Sequence, residues 1–201
     1  MRNLVITQDL VDMVNNGVKS SSDNWGTGLI VQDPVTGKIL LAKRTDTGTY
    51  GGPGGKVETG EAPKDGVLRE CMEESNVIVN SMSFYGINLH DSSNRKNWVD
   101  FLFYTNDFDA SLLQNQESEM EPFDWYDVDV ALQMDLFPPT RQGLEIAIEN
   151  GLLTLNSNPS NVIPFVECPT SASQIMDSPH CQYSYEEPEH IFTTHQWLYW
   201  D

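Results

Sequence analysis

Apolar residues recur along the chain at two spacings, and the switches between them divide it into helices and strands. Gln8–Asn16 carries Leu10, Val11 and Val14 at helical spacing, with Thr7 placed to cap the start and Gly17 to stop it. Trp25–Gln32 is a short apolar run that ends at Asp33-Pro34-Val35-Thr36-Gly37, a turn sequence, and Lys38–Arg44 is a second run. The two are expected as a hairpin leading into a glycine loop. Pro63 suits a first helical turn, where its missing N–H costs nothing, and only Gly66 interrupts the helix expected from there to Ser75. Val77–His90 reads as a strand with Gly86 as a bulge, and Trp98–Tyr104 as a buried strand rich in aromatic and β-branched residues. Phe123–Val128 is another strand, and Thr140–Glu149 an amphipathic helix ended by Asn150-Gly151. Strands interrupted by two helices predict an α/β sandwich.

The chemistry concentrates between Gly55 and Val77, in the run GKVETGEAPKDGVLRECMEESNV. On the expected helix Glu70, Glu73 and Glu74 stand at i, i+3 and i+4 and share a face. Three like charges there repel unless a cation joins them. Carboxylates are hard oxygen ligands suited to Mg²⁺ or Mn²⁺. The preceding Gly51-Gly52-Pro53-Gly54-Gly55 lets backbone carbonyls approach the same ion closely. Arg69 is placed to hold a neighbouring carboxylate in a fork and fix its rotamer. Cys71 reads as a small buried hydrophobe.

This run resembles the Nudix box, G-x5-E-x7-R-E-U-x-E-E-x-G-U with U apolar. Gly55, Glu61, Arg69, Glu70, Glu73 and Glu74 fall on its fixed positions, and Val77 on its last apolar one. Asn76 stands where the pattern has Gly, and after Gly it is the residue best suited to a left-handed helix end. The resemblance implies a Nudix-type α/β/α sandwich with a mixed central sheet. It implies a metal-dependent hydrolase of compounds in which a nucleoside diphosphate is linked to another group. Glu70, Glu74 and the Gly55 carbonyl, helped by Glu73, would hold two Mg²⁺ or Mn²⁺ ions, and Glu73 or Glu119 would take a proton from water.

Residues 117–128 carry further carboxylates before a Trp-aromatic strand. They resemble the Glu-Met-x-Pro stretch of the animal oxidised-purine nucleoside triphosphate hydrolases, with Glu119 matching and Glu117 and Glu121 as rivals. Where those enzymes read the purine edge with an Asp pair, this chain has Leu136-Phe137-Pro138-Pro139-Thr140. Phe137 can still stack on a base, but the two carboxylates are missing. The expected substrate is a nucleoside triphosphate or another nucleoside diphosphate derivative. The alternatives are an ADP-ribose or dinucleoside polyphosphate pyrophosphatase, or a nucleotide-binding module without turnover.

The net charge of −19 over 201 residues argues against partners made of nucleic acid or anionic membrane. Five of the eleven basic residues, Lys43, Arg44, Lys56, Lys64 and Arg69, nevertheless cluster around the carboxylates. That suits a polyphosphate, and Lys43, Arg44 and Lys56 are the expected substrate contacts. Three cysteines give no disulfide framework. Residues 1–20 lack the pattern of a signal peptide, and no apolar run approaches the roughly 20 residues of a membrane span. A cytoplasmic protein is expected. Residues 1–151 should form one domain, with its core at 24–151 and the 8–16 helix added. Residues 152–201 hold five prolines, seven aromatics and no Lys or Arg. They are expected as an extension packed on the domain or on the partner of a homodimer. His180, Cys181, His190 and His195 fit no standard zinc spacing.

Overall fold

The computed structural model describes residues 7–92, 95–113, 120–153 and 155, with only the backbone described at 90–92 and 95–96. The expected extension from residue 156 onward, Glu117 and Glu119 lie outside the described residues.

The chain runs α1 (Gln8–Asn16), β1 (Asn24–Val31), β2 (Ile39–Lys43), β3 (Tyr50–Gly51), α2 (Pro63–Ser75), β4 (Ile78–Ser92), β5 (Arg95–Asp109), β6 (Asp124–Tyr126), α3 (Val128–Ala131) and α4 (Pro138–Glu149). The strands make two three-stranded sheets, ordered β1-β5-β4 and β3-β2-β6. In the first sheet β1 lies parallel to β5 and β4 antiparallel to it, so the sheet is mixed. In the second, β3 and β6 are both antiparallel to β2.

Side-chain alternation assigns the two faces of the first sheet. Leu29, Val31, Phe101 and Phe103 pack with Val67 and Cys71 of α2. Ile30, Leu102 and Tyr104 pack on the other side with Leu144 and Ala147 of α4. Helices therefore cover both faces, and the segments 29–31 of β1 and 101–104 of β5 are continuous apolar runs. The layers are those of the expected α/β/α sandwich. A one-residue slip between β1 and β5 would exchange the two faces, so burial fixes the register.

The expected hairpin of β1 and β2 does not form. Between them only the bridge Gln32↔Ile39 is present among the described residues. The reason lies on the other edge of β1, where the Thr27 and Leu29 amides donate to the carbonyls of Gly55 and Pro53 at 2.8 Å, and the Val57 amide donates to Trp25 at 3.0 Å. The glycine loop occupies the edge that a hairpin partner would need, and β2 crosses to the second sheet.

Other boundaries follow the chain's local chemistry. Thr7 caps α1 through Leu10, and α2 spans the expected residues with Asn76 left-handed at its end (φ 58°). The ladder between β4 and β5 shifts between Phe84 and Gly86, at the expected bulge. The strand expected at Phe123–Val128 is shorter, because Val128 opens the short helix α3. Helix α4 begins two residues before the expected Thr140, with Pro138 and Pro139 in its first turn. Leu153 is buried in the α4 cluster, so the packed core runs past residue 151.

Candidate active site

Local geometry forces the glycine loop into place. Gly54 has φ +148°, and a Cβ on it would lie 2.3 Å from the Thr27 carbonyl oxygen. A Cβ on Gly55 would lie 2.5–2.6 Å from the Glu70 carboxylate. No side chain is tolerated at Gly54, and one at Gly55 would have to displace the Glu70 carboxylate, so the backbone lies directly against the acidic face of α2. The Gly54 amide donates to Glu74 Oε2 at 2.9 Å, which ties the loop to the helix. Glu74 is only 5% exposed.

Arg69 organises the remaining carboxylates. Its Nε and Nη2 donate to the two oxygens of Glu61 at 2.9 and 3.0 Å. Its Nη1 donates to Glu70 Oε1 at 3.0 Å and to Glu73 Oε2 at 2.9 Å. A further bond from Nη2 reaches the Lys56 carbonyl at 3.1 Å. Burial alone would raise the Glu61 pKa, but the Arg69 fork and the Glu58 amide outweigh it and hold Glu61 below the usual carboxylate range. Glu61, above all, pushes the Arg69 guanidinium still higher against its desolvation, so its charge is permanent. Cys71 sits fully buried under this helix, and burial pushes its thiol up to about 11. It is inert packing at neutral pH.

A cavity of about 440 Å³ opens beside these groups. Gly55, Lys56, Arg69, Glu70, Glu73 and Glu74 line it at one side. Arg44 and Phe137 line it from the second sheet and the start of α4. Lys43 does not line it; its side chain runs toward the Gly48 turn, with Cε 4.0 Å from where a Gly48 Cβ would stand. Arg44 is already engaged. Its guanidinium forms a two-bond fork with Asp46 at 3.0 and 2.8 Å and stacks 4.7 Å above the Phe137 ring. One face of Phe137 is thus covered by a cation. The Gly55 carbonyl, expected as a metal ligand, accepts the Thr27 amide. Glu121 is exposed, with its amide donating to the Lys43 carbonyl at 2.7 Å.

Sequence reasoning missed the part of the cavity wall that comes from β5. Asp100 is 6% exposed, lines the cavity and accepts the Trp98 indole N–H at 2.6 Å. The partial signal was an acidic residue inside the apolar run Trp98–Tyr104; which face it takes depends on the pairing of β5 with β1.

A model of the NUDIX domain matches residues 24–145, most of the described fold. The chain belongs to the Nudix family. Among curated Nudix relatives, it is 28% identical over 105 residues to the uncharacterized Nudix hydrolase YvcI of Bacillus subtilis, covering 50% of this chain and 65% of that protein. It is 36% identical over 76 residues to a nucleoside triphosphate pyrophosphatase/Nudix hydrolase fusion protein of Bifidobacterium longum, covering 31% of this chain and 16% of that one. The chain thus spans less than two thirds of either relative. Among solved structures, a MutT NUDIX hydrolase from Burkholderia pseudomallei superposes with a TM-score of 0.53 at 28% identity, over 62% of this chain and 98% of that one. The NUDIX domain of Shewanella oneidensis NrtR, solved with ADP ribose, superposes with a TM-score of 0.56 at 21% identity, over 65% of this chain and 89% of that one. That second likeness is one of Nudix fold.

Proposed function

We propose that this Nudix protein is a divalent-metal-dependent hydrolase of a nucleoside triphosphate or another nucleoside diphosphate derivative. The observation that supports this reading most is the Arg69 network, which holds Glu61, Glu70 and Glu73 together beside the glycine loop at one side of the cavity. Among the described residues no three acidic, histidine or cysteine side chains yet converge on one ion-sized point. The donor set nonetheless fits Mg²⁺ or Mn²⁺: it is all oxygen, and the space beside Glu70 is one that a single Cβ on Gly55 would fill. Glu70 and Glu74, helped by Glu73, would hold the metal; the Gly55 carbonyl already accepts the Thr27 amide at 2.8 Å and the Thr27 hydroxyl at 3.5 Å. When bound, the metal would neutralise diphosphate charge and acidify a water.

The chain's own residues carry the remaining work. Arg69 holds the carboxylate rotamers. Lys56 and Arg44 supply positive charge to the polyphosphate. Glu73 or Glu119 takes a proton from the attacking water as its oxygen bonds to phosphorus and the bridging P–O bond breaks. The bridging oxygen leaves with the departing phosphate group. The products are a nucleoside monophosphate and pyrophosphate, or a nucleotide and a phosphorylated fragment.

Product release from nucleoside triphosphates, dinucleoside polyphosphates and ADP-ribose, with Mg²⁺ and with EDTA, tests the proposal. Turnover that requires Mg²⁺ and is lost in Glu70→Gln is the expected result. Binding of nucleotides without turnover of any of them would overturn it in favour of a non-catalytic Nudix module. Separate Glu119→Gln, Glu117→Gln and Glu121→Gln variants distinguish the base: a loss confined to Glu119 supports it, and equal small losses leave Glu73.

A further inference from the structure

The Nudix match begins at residue 24, yet the chain before it is built into the carboxylate network. Helix α1 packs on α2. Its Val14 is 2% exposed and shares a buried cluster with Val67 and Cys71, which flank Arg69 and Glu70 on α2. After Gly17 ends α1, the chain reaches Lys19 and pairs there with the turn at the start of the box. The Lys19 amide donates to the Glu61 carbonyl, and the Gly60 amide donates to the Lys19 carbonyl, both at 3.0 Å. The next turn holds this pairing from the other side. The Ser20 amide donates to Asp23 Oδ2 at 2.8 Å, and the Asp23 amide to the Ser20 carbonyl at 3.2 Å.

Glu61 is the residue that the pairing holds. Its amide donates to the Glu58 carbonyl at 3.1 Å. Its Oε2 accepts the Glu58 amide at 2.8 Å and Arg69 Nη2 at 3.0 Å, and its Oε1 accepts Arg69 Nε at 2.9 Å. Among these bonds and the one from Lys19, only that from Lys19 starts outside the run Gly55–Val77. Gly60 has φ +90° with nothing within 4 Å of an added Cβ, so side-chain packing does not fix that part of the turn. Backbone bonds fix it instead. A chain of contacts thus runs from Lys19 to Glu61, from Glu61 to Arg69, and from Arg69 to Glu70 and Glu73. Groups that orient metal ligands from outside set metal affinity as well as rotamer.

We propose that the segment 7–20 positions the metal site: Lys19, through its backbone, fixes Glu61 and with it the Arg69 network that orients Glu70 and Glu73. This rests on the reading of the protein as metal-dependent. It adds a requirement that the box does not contain, because the ligands are fully ordered only when the chain before residue 24 is docked. Lys19 is a positioning residue and touches no reacting group.

Two measurements on the full chain test this without turnover. Electron paramagnetic resonance of Mn²⁺ gives metal affinity, and NMR hydrogen exchange with and without Mg²⁺ follows the Lys19 and Gly60 amides. Lys19→Pro deletes the N–H that Glu61 accepts. It should weaken Mn²⁺ binding about threefold to tenfold, the worth of one net hydrogen bond. Coupling is reciprocal, so saturating Mg²⁺ should slow exchange at Lys19 and Gly60 in the wild type by a similar factor. The Gly37 amide, bonded to Asp33 in the turn between β1 and β2, should not respond. Leu153→Ala loosens the α4 cluster and serves as the stability control. It should lower the melting midpoint and leave Mn²⁺ affinity as it is. Unchanged affinity in a folded Lys19→Pro protein would overturn the proposal. So would exchange at Lys19 and Gly60 that ignores Mg²⁺, a result that needs no variant. Equal losses of affinity in Leu153→Ala and Lys19→Pro would assign the effect to global stability and overturn it too. Absence of all metal binding would remove the metal-dependent reading together with this proposal, whereas metal binding uncoupled from Lys19 removes this proposal alone.

Discussion

Arg69 grips Glu61 through two parallel hydrogen bonds, Nε to Oε1 at 2.9 Å and Nη2 to Oε2 at 3.0 Å. Glu61 precedes α2 and Arg69 lies within it, so the fork staples the loop to the helix. The same guanidinium then orders Glu70 and Glu73. An ammonium keeps the charge but cannot make the planar fork. Arg69→Lys should therefore lower stability by about 1–3 kcal/mol, the worth of a charge-assisted, partly buried pair. Turnover should fall as well, because Glu70 and Glu73 lose their common anchor. Thermal melts and steady-state kinetics check this; unchanged values for both would mean that the fork positions nothing.

The fork also sets a pH dependence. Glu61 is held below its usual range, so in acid the unfolded chain binds a proton before the folded one does. Its contribution is fully present above the unfolded value of about 4.3 and is lost as pH falls through the lower folded value. Urea unfolding across the acid range should show stability falling in that window. Glu61→Gln should be less stable at neutral pH and show a flatter acid limb. Parallel acid limbs in the two proteins would place the titrating group elsewhere.

Metal ligation separates charge from shape. Glu70→Gln and Glu74→Gln keep side-chain volume, and in the second variant the introduced side-chain carbonyl would still accept the Gly54 amide. Both variants should stay folded while kcat falls by several orders of magnitude. In Glu74→Gln, metal-free melting should hold or rise as like-charge repulsion is relieved. Near wild-type turnover in both would remove these residues from the site.

Asn76 shows how the chain tolerates its departure from the Nudix pattern. Its φ of 58° is left-handed, and its side-chain amide donates to the Leu112 carbonyl at 2.9 Å. Asn76→Gly relieves backbone strain and loses that bond, two effects of similar size, so stability should change by less than about 1 kcal/mol. Asn76→Ala keeps the strain and loses the bond, and should cost about 1–2 kcal/mol. A Gly variant as unstable as the Ala variant would show that the Leu112 bond carries the whole effect.

The box helix, its left-handed end and the buried Cys71 were legible because local spacing and capping chemistry determine them. The strands were legible too, but not their partners. Nothing near Trp25 in sequence reports that Pro53, Gly55 and Val57 take the edge of β1. The same holds for the site. Arg69, Glu70 and Glu73 meet on α2 through helical spacing, which sequence displays, and Glu61 joins them from the loop just before the helix. Asp100 reaches the cavity only because β5 lies parallel to β1, a long-range pairing that a local pattern cannot carry. Lys43 and Arg44 are adjacent, and only Arg44 lines the cavity.

Arg44 and Phe137 should act on substrate as one unit. The guanidinium covers one ring face at 4.7 Å, so removing either side chain alters what the other presents to the cavity. The Arg44–Asp46 fork adds little stability, since Asp46 is 55% exposed and solvent screens the pair. Arg44→Ala should therefore shift the melting midpoint only slightly, while KM rises through loss of positive charge beside the polyphosphate. Phe137→Ala should raise KM through loss of a stacking surface. If the two act together, the double variant falls short of the product of the single effects, with a coupling of about 0.5–1 kcal/mol. Added salt should raise KM in the wild type more than in Arg44→Ala, because screening then has a charge to act on. Strictly additive effects with equal salt sensitivity would mean that the stacked pair is a surface contact without a part in substrate binding.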